Sequence, residues 1–194
     1  MEKIENPVFI KEHYESFWHP IKNIKQFCSD VRQSVQRIKW GYSRYDAMDI
    51  DVWFLYTIPN MLETFLDINK GWGSYPAFFE YDAYEEHKEE IGCSFEEYRA
   101  ASSDRVRELR EKYDQECREK WRGIIKEMIF LFREADEDMC TKSNPYEKEY
   151  TRNRDNKEIH EKYWAEENAL DEYRDECKDK AFMLFSKYFR NLWE

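Results

Sequence analysis

The residues with most chemical promise lie between positions 37 and 53. Here the chain reads Arg37-Ile38-Lys39-Trp40-Gly41-Tyr42-Ser43-Arg44-Tyr45-Asp46 and runs on through Asp49 and Asp51 to Trp53. Cations, planar rings and the free amides of helix ends fall within one corner. Such a set can hold a small anion or a nucleotide. The rings stack the base, Arg or Lys meets phosphate, and backbone N–H groups add donors. The candidate ligand-binding residues are therefore Arg37, Lys39, Trp40, Tyr42, Arg44, Tyr45, Asp46, Asp49 and Trp53. The loop Lys70–Pro76 repeats this composition and adds Lys70, Trp72 and Tyr75, which are expected to face the same end of the molecule. The same residues also suit a structural corner, in which Trp40 and Tyr42 close the end of the fold and Arg37 or Lys39 pairs with an aspartate.

Other chemistries lack their residues. None of His13, His19, His87 and His160 has a Glu three positions before it, and no HExxH or zinc-type Cys/His spacing occurs. Asp46, Asp49 and Asp51 bring three carboxylates together without the glycine and distal glutamate of a calcium loop. They are read as helix-capping and dipole-compensating acids. There is no GxSxG, no phosphate-binding P-loop and no GxGxxG. No catalytic residue, metal or cofactor is expected, and the protein is read as a non-enzyme.

The elements that position the corner follow from periodicity. Ile21, Ile24, Cys28, Val31, Val35 and Ile38 recur at alternating spacings of 3 and 4, one stripe of a helix that starts at Pro20 and stops at Trp40-Gly41. Internal packing is expected for this stripe, with a dimeric seam as the other use of such spacing. A second helix follows Ser43 or Asp46. It buries Val52, Leu55, Ile58, Leu62, Phe65 and Leu66, and Pro59 predicts a kink in it. Residues 77–93 suit a loop or a short helix equally. Ser94 and Glu97 form a capping-box pair, so a third helix is expected from about residue 95 to 137, with Val106, Tyr113, Cys117, Trp121 and Met128 inside. A polar loop over 139–156 precedes a last helix over about 157–192, carrying Leu170, Tyr173, Cys177, Phe185 and Tyr188. The expectation is an all-α fold, a helical bundle of about four main helices in one domain spanning 1–194. Residues 1–19 form its N-terminal arm, and 77–94 and 139–156 its loops.

Composition agrees with long helices. The chain of 194 residues has only five Gly and five Pro, yet 38% of it is charged and 18% is aromatic. Its net charge of −11 is localised: residues 46–98 hold 13 acids against two bases, whereas residues 1–45 hold eight bases against five acids. Long nucleic acid is disfavoured as a partner, because phosphate neutralisation needs clustered Lys and Arg. An acidic surface aimed at a basic partner fits. No apolar run approaches a membrane span or a signal-peptide core, so no membrane association is expected. Five scattered cysteines fit free thiols in a reducing cytoplasm.

The stretches RIKWGYSRYDAMDIDVWFLYTIPNMLETFLD (37–67), GWGSYP (71–76), WRGIIKEMIFLFREADED (121–138) and LFSKYFRNLWE (184–194) resemble, in the same order, a widespread group of small accessory proteins of tailed bacteriophages. The resemblance implies a phage origin, residence in the cytoplasm of the infected bacterium and an accessory role. Together with the corner chemistry, the expectation is a binding protein that antagonises host immunity by sequestering a small nucleotide immune signal. The alternative partner is a host defence protein, met by the acidic surface as a nucleic-acid mimic. An assembly or structural factor of the phage, with homo-oligomerisation through the last helix, is the third reading.

Overall fold

The computed structural model describes residues 20–69 and 75–192. The expected N-terminal arm, Lys70, Trp72 and most of the aromatic loop lie outside the described residues. The described residues are all-α, with no strand among them. The chain divides into two compact units, Met1–Trp53 and Phe54–Glu194. The second helix, α2 (Ile50–Ile68), runs through the boundary.

The first unit contains α1 (Pro20–Trp40) and the turn that follows it. The C-terminal end of α1 matches the sequence reading, and the residues before Pro20 lie outside the described residues. Gly41 takes a left-handed φ of 81° and its N–H caps the carbonyl of Arg37 at 2.8 Å. Its apolar stripe does not match. Ile24, Cys28, Val31, Val35 and Ile38 are all exposed, Ile38 to 86%. The polar side is the one held down instead: Gln36 and Arg37 are half-buried and tied to the turn at residues 43–46. Periodicity located the apolar face of the helix; hydrogen bonding fastened the opposite face to the turn at residues 43–46.

The second unit is built on two long helices, α6 (Asp104–Glu134) and α8 (Lys157–Tyr188). Their apolar stripes meet in a core of Cys117, Trp121, Ile125, Met128, Phe132, Cys177, Ala181 and Tyr188, which Leu62 of α2 and Phe79 complete. The segment the sequence left between loop and helix forms α3 (Ala77–Glu86) and α4 (Lys88–Ile91), and α5 (Phe95–Arg99) follows. These short helices survive because each buries an aromatic or aliphatic anchor. Tyr84, Ile91, Tyr98, Val106 and Tyr113 form a second core beneath them. The Ser94–Glu97 capping box is present in full. The remaining loop holds α7 (Glu147–Arg152), and a 3-10 turn, Phe189–Asn191, closes the described chain.

The expected third helix is interrupted once, between α5 and α6. Ala101 adopts a φ of 48°, a conformation an alanine takes at a cost, and Ser103 caps α6 by accepting from the Val106 N–H at 3.3 Å. The Ser102-Ser103 pair marks the restart of the helix. Ala101→Gly is expected to stabilise the protein by about 0.5–1 kcal/mol, because glycine relieves the left-handed strain. Urea denaturation at neutral pH checks it.

Candidate functional site

At the corner, α1 ends in a turn that fastens onto its own last residues. The Arg37 guanidinium forks onto the Asp46 carboxylate through Nε, at 2.7 Å, and Nη2. Asp46 also accepts the Ser43 N–H at 2.7 Å, while its own N–H donates to the Ser43 hydroxyl at 3.2 Å. Ser43 is fully buried as a result. The Arg44 N–H donates to the Gln36 side-chain carbonyl at 2.9 Å. Burial alone would raise the Asp46 carboxyl, but the hydrogen bonds from Arg37 and Ser43 and the Arg37 charge outweigh it and hold the group below its usual range. Arg37 and Asp46 are thus committed to one another. The structural reading of the corner describes this pair.

The other corner residues point outward. Trp40, Tyr42 and Tyr45 are each more than half exposed, and Lys39 and Arg44 are exposed too. Lys39 Nζ stands 5.2 Å from the centre of the Trp40 ring, a cation–π pair open to solvent. Asp49 is exposed, and its carbonyl accepts the Trp53 N–H at 3.0 Å at the start of α2; Trp53 itself is half-buried. Tyr75, in the second unit, donates its hydroxyl to Asp114 of α6, and burial followed by this carboxylate drives its ionisation upward. It acts there as a clamp.

A small hollow in the second unit escaped the sequence reading. Phe65, Leu66, Asn69, Arg118, Trp121, Arg122 and Ile125 line about 10 Å³ of space, near the room one water-sized group requires. Asn69 Nδ2, Arg118 Nε and Trp121 Nε1 are buried donors that find no partner among the described residues. The signal was present in the 118, 121, 122, 125 spacing, one face of α6 that mixes two arginines with a tryptophan. A nucleotide needs a pocket of several hundred cubic ångströms, so this hollow accepts a single oxygen at most.

The outer surface of α3–α5 carries a dense set of acids. Asp82, Glu85, Glu86, Glu89, Glu90, Glu96 and Glu97 are exposed there, with Lys88 and Arg99 as the bases of these helices. Among the described residues no cation pairs with Asp82, Glu86, Glu89 or Glu96. Beneath them the aromatic platform is fixed. Tyr84 packs against Phe95 at 5.1 Å and Tyr98 at 5.6 Å, and His87 stacks on Tyr113 at 4.1 Å. The Tyr113 hydroxyl donates to Glu90 at 2.6 Å, which holds the Glu90 carboxyl below its usual range. Among the described residues no group of three His, Cys, Asp or Glu side chains is placed to hold a metal ion. No described helix is long and apolar enough to cross a membrane.

The fold and these surfaces define an all-α protein with a closed polar corner and an acidic helical face. No protein-family model, no curated protein and no solved structure matches the chain.

Proposed function

We propose that the protein is a non-catalytic binding protein whose α3–α5 face occupies the basic nucleic-acid groove of a partner protein. The observation that supports this most directly is the set of carboxylates at Asp82, Glu86, Glu89 and Glu96, which meet no cation among the described residues and are carried on short helices that a packed aromatic core holds in place. Fixed charge costs little ordering on binding and steers a basic partner from a distance. The resemblance to phage accessory proteins makes a host defence protein in the infected cytoplasm the natural target of such a face. The test is capture of basic proteins from host lysate by the wild type and by a variant with these four acids changed to Gln or Asn. Wild-type capture is expected to weaken steeply between low and moderate salt and to be displaced by competing duplex DNA. Capture that the four substitutions leave unchanged rejects the reading.

A second reading keeps the nucleotide signal. It is favoured by the exposed Lys39–Trp40 pair with Arg44, Tyr42 and Tyr45 beside it. It draws no support from Arg37, which Asp46 occupies. Thermal-shift measurements against cyclic and ADP-ribose-type nucleotides decide it, and no shift with any of them ends it.

A further inference from the structure

α1 presents a surface of the opposite character to the acidic face. Ile24, Cys28, Val31, Val35 and Ile38 alternate at spacings of 4 and 3, the repeat of a coiled-coil seam, which is narrower than the apolar face of a globular helix. The helix is 21 residues long, three heptads. All five seam residues are exposed, and Phe27 at the edge of the seam is exposed too. Within the first unit, the fork between Arg37 and Asp46 and the bond from Arg44 to Gln36 fasten the polar side of α1 to the turn at residues 43–46. The seam is therefore the face of α1 that the described residues of the first unit leave uncovered.

Charge states what suits it. With Cys28 and Val35 at the first core position of the heptad and Ile24, Val31 and Ile38 at the second, one flanking row consists of Lys25, Arg32 and Lys39 and the other of Phe27 and Ser34. Lys22 adds to the positive charge of the helix, against the single acid Asp30 within it, while the Arg37 charge is met by Asp46. A second copy in antiparallel register would set the basic rows against each other. In parallel register it would still bring two strongly positive helices side by side. An acidic helix meets the same seam with attraction along its flank.

We infer that α1 is a docking surface for an amphipathic helix of another protein, with aliphatic residues at its core positions and glutamates on its flanks. The probe is a synthetic three-heptad peptide with Ile and Leu at the core positions and Glu on both flanking rows. A matched peptide with Lys on those rows is the control. Fluorescence anisotropy against the full chain is expected to show the acidic peptide binding at least about tenfold more tightly than the basic one. Raising salt from about 50 to about 500 mM is expected to weaken but not abolish it, because the seam is apolar. Val35→Asp is expected to remove binding with the helix content unchanged, since Val35 touches solvent. The pair Arg32→Glu and Lys39→Glu leaves the seam intact and is expected to reverse the preference between peptides. Equal affinity for both peptides, or binding of neither, overturns the inference. So does a dimer in sedimentation that Val35→Asp dissociates, which would give the seam to a second copy.

Discussion

Glu134→Ala is expected to destabilise the second unit by about 3–5 kcal/mol, one of the largest effects of any single substitution in the chain. Glu134 is the last residue of α6 and is only 1% exposed. Its carboxylate accepts the Thr141 N–H at 3.1 Å, the Thr141 hydroxyl at 3.0 Å and the Tyr173 hydroxyl at 2.9 Å, with the Cys140 thiol at 3.6 Å. One side chain thus ties the end of α6, the loop behind it and the middle of α8. Lys142 Nζ packs over the Tyr173 ring at 3.1 Å from its centre, adding positive charge nearby. Alanine would take the acceptor from the half-buried Tyr173 and Cys140 and from both Thr141 donors, and a hydrogen bond to a charged group contributes about 1.5–3 kcal/mol.

The same group makes stability depend on pH in a definite direction. Burial raises the Glu134 carboxyl, but hydrogen bonds from Thr141, Tyr173 and Cys140 more than offset it and bring it below its usual range. A carboxyl depressed by folding contributes stability that is fully present above its unfolded value of about 4.3 and is lost as pH falls through the lower folded value. Urea midpoints of the wild type are therefore expected to drop below about pH 4, and those of Glu134→Gln to drop less over the same window. A variant whose acid sensitivity equals that of the wild type would assign the effect to other carboxylates.

Phe132→Ala is the second large effect, expected at about 3–5 kcal/mol. Phe132 is fully buried and meets Phe54 at 5.7 Å, Phe182 at 5.5 Å and Phe185 at 5.8 Å, each ring edge to face. Removing it deletes the shared partner of three rings and leaves a cavity that stiff helices close poorly. Phe182→Ala is the internal control. Phe182 stacks on Phe54 at 5.1 Å but is 43% exposed, so a loss of about 1–2 kcal/mol is expected. Equal losses for the two variants would mean that ring contact rather than burial carries the stability.

The parts of the fold legible in the sequence are those whose signal is local. Gly41 ends α1, Ser94 and Glu97 cap α5, and Asn156 starts α8 by accepting from the Glu158 N–H at 3.1 Å. Each sits within a few residues of the group it satisfies. The stripe of α6 is legible for the same reason, since one face repeats over many turns. Glu134 is not: within Arg133-Glu134-Ala135-Asp136-Glu137-Asp138 it reads as one more solvated acid, and its partner Tyr173 is 39 residues away. At the corner, the residue types allowed either a pocket or an ion pair, and only the turn geometry selects Asp46 rather than Asp49 for Arg37. The α1 stripe shows the limit most clearly. A period identifies an apolar face, whereas what covers that face depends on partners elsewhere.

The outward stripe also sorts the thiols by reactivity. Cys28 is exposed on it, while Cys117 and Cys177 are buried. Burial pushes the Cys117 thiol up to about 11, and its proton points at the Phe79 carbonyl oxygen 3.3 Å away. Relative to a thiol at the ordinary 9.0, that leaves about a hundredth of the reactive thiolate near neutral pH. Burial raises the Cys93 thiol as well. A brief treatment with maleimide dye therefore marks α1 ahead of the core, with no cysteine engineered in or out. A fluorophore placed there begins in water, and any occupant of the stripe changes its colour and its tumbling at once.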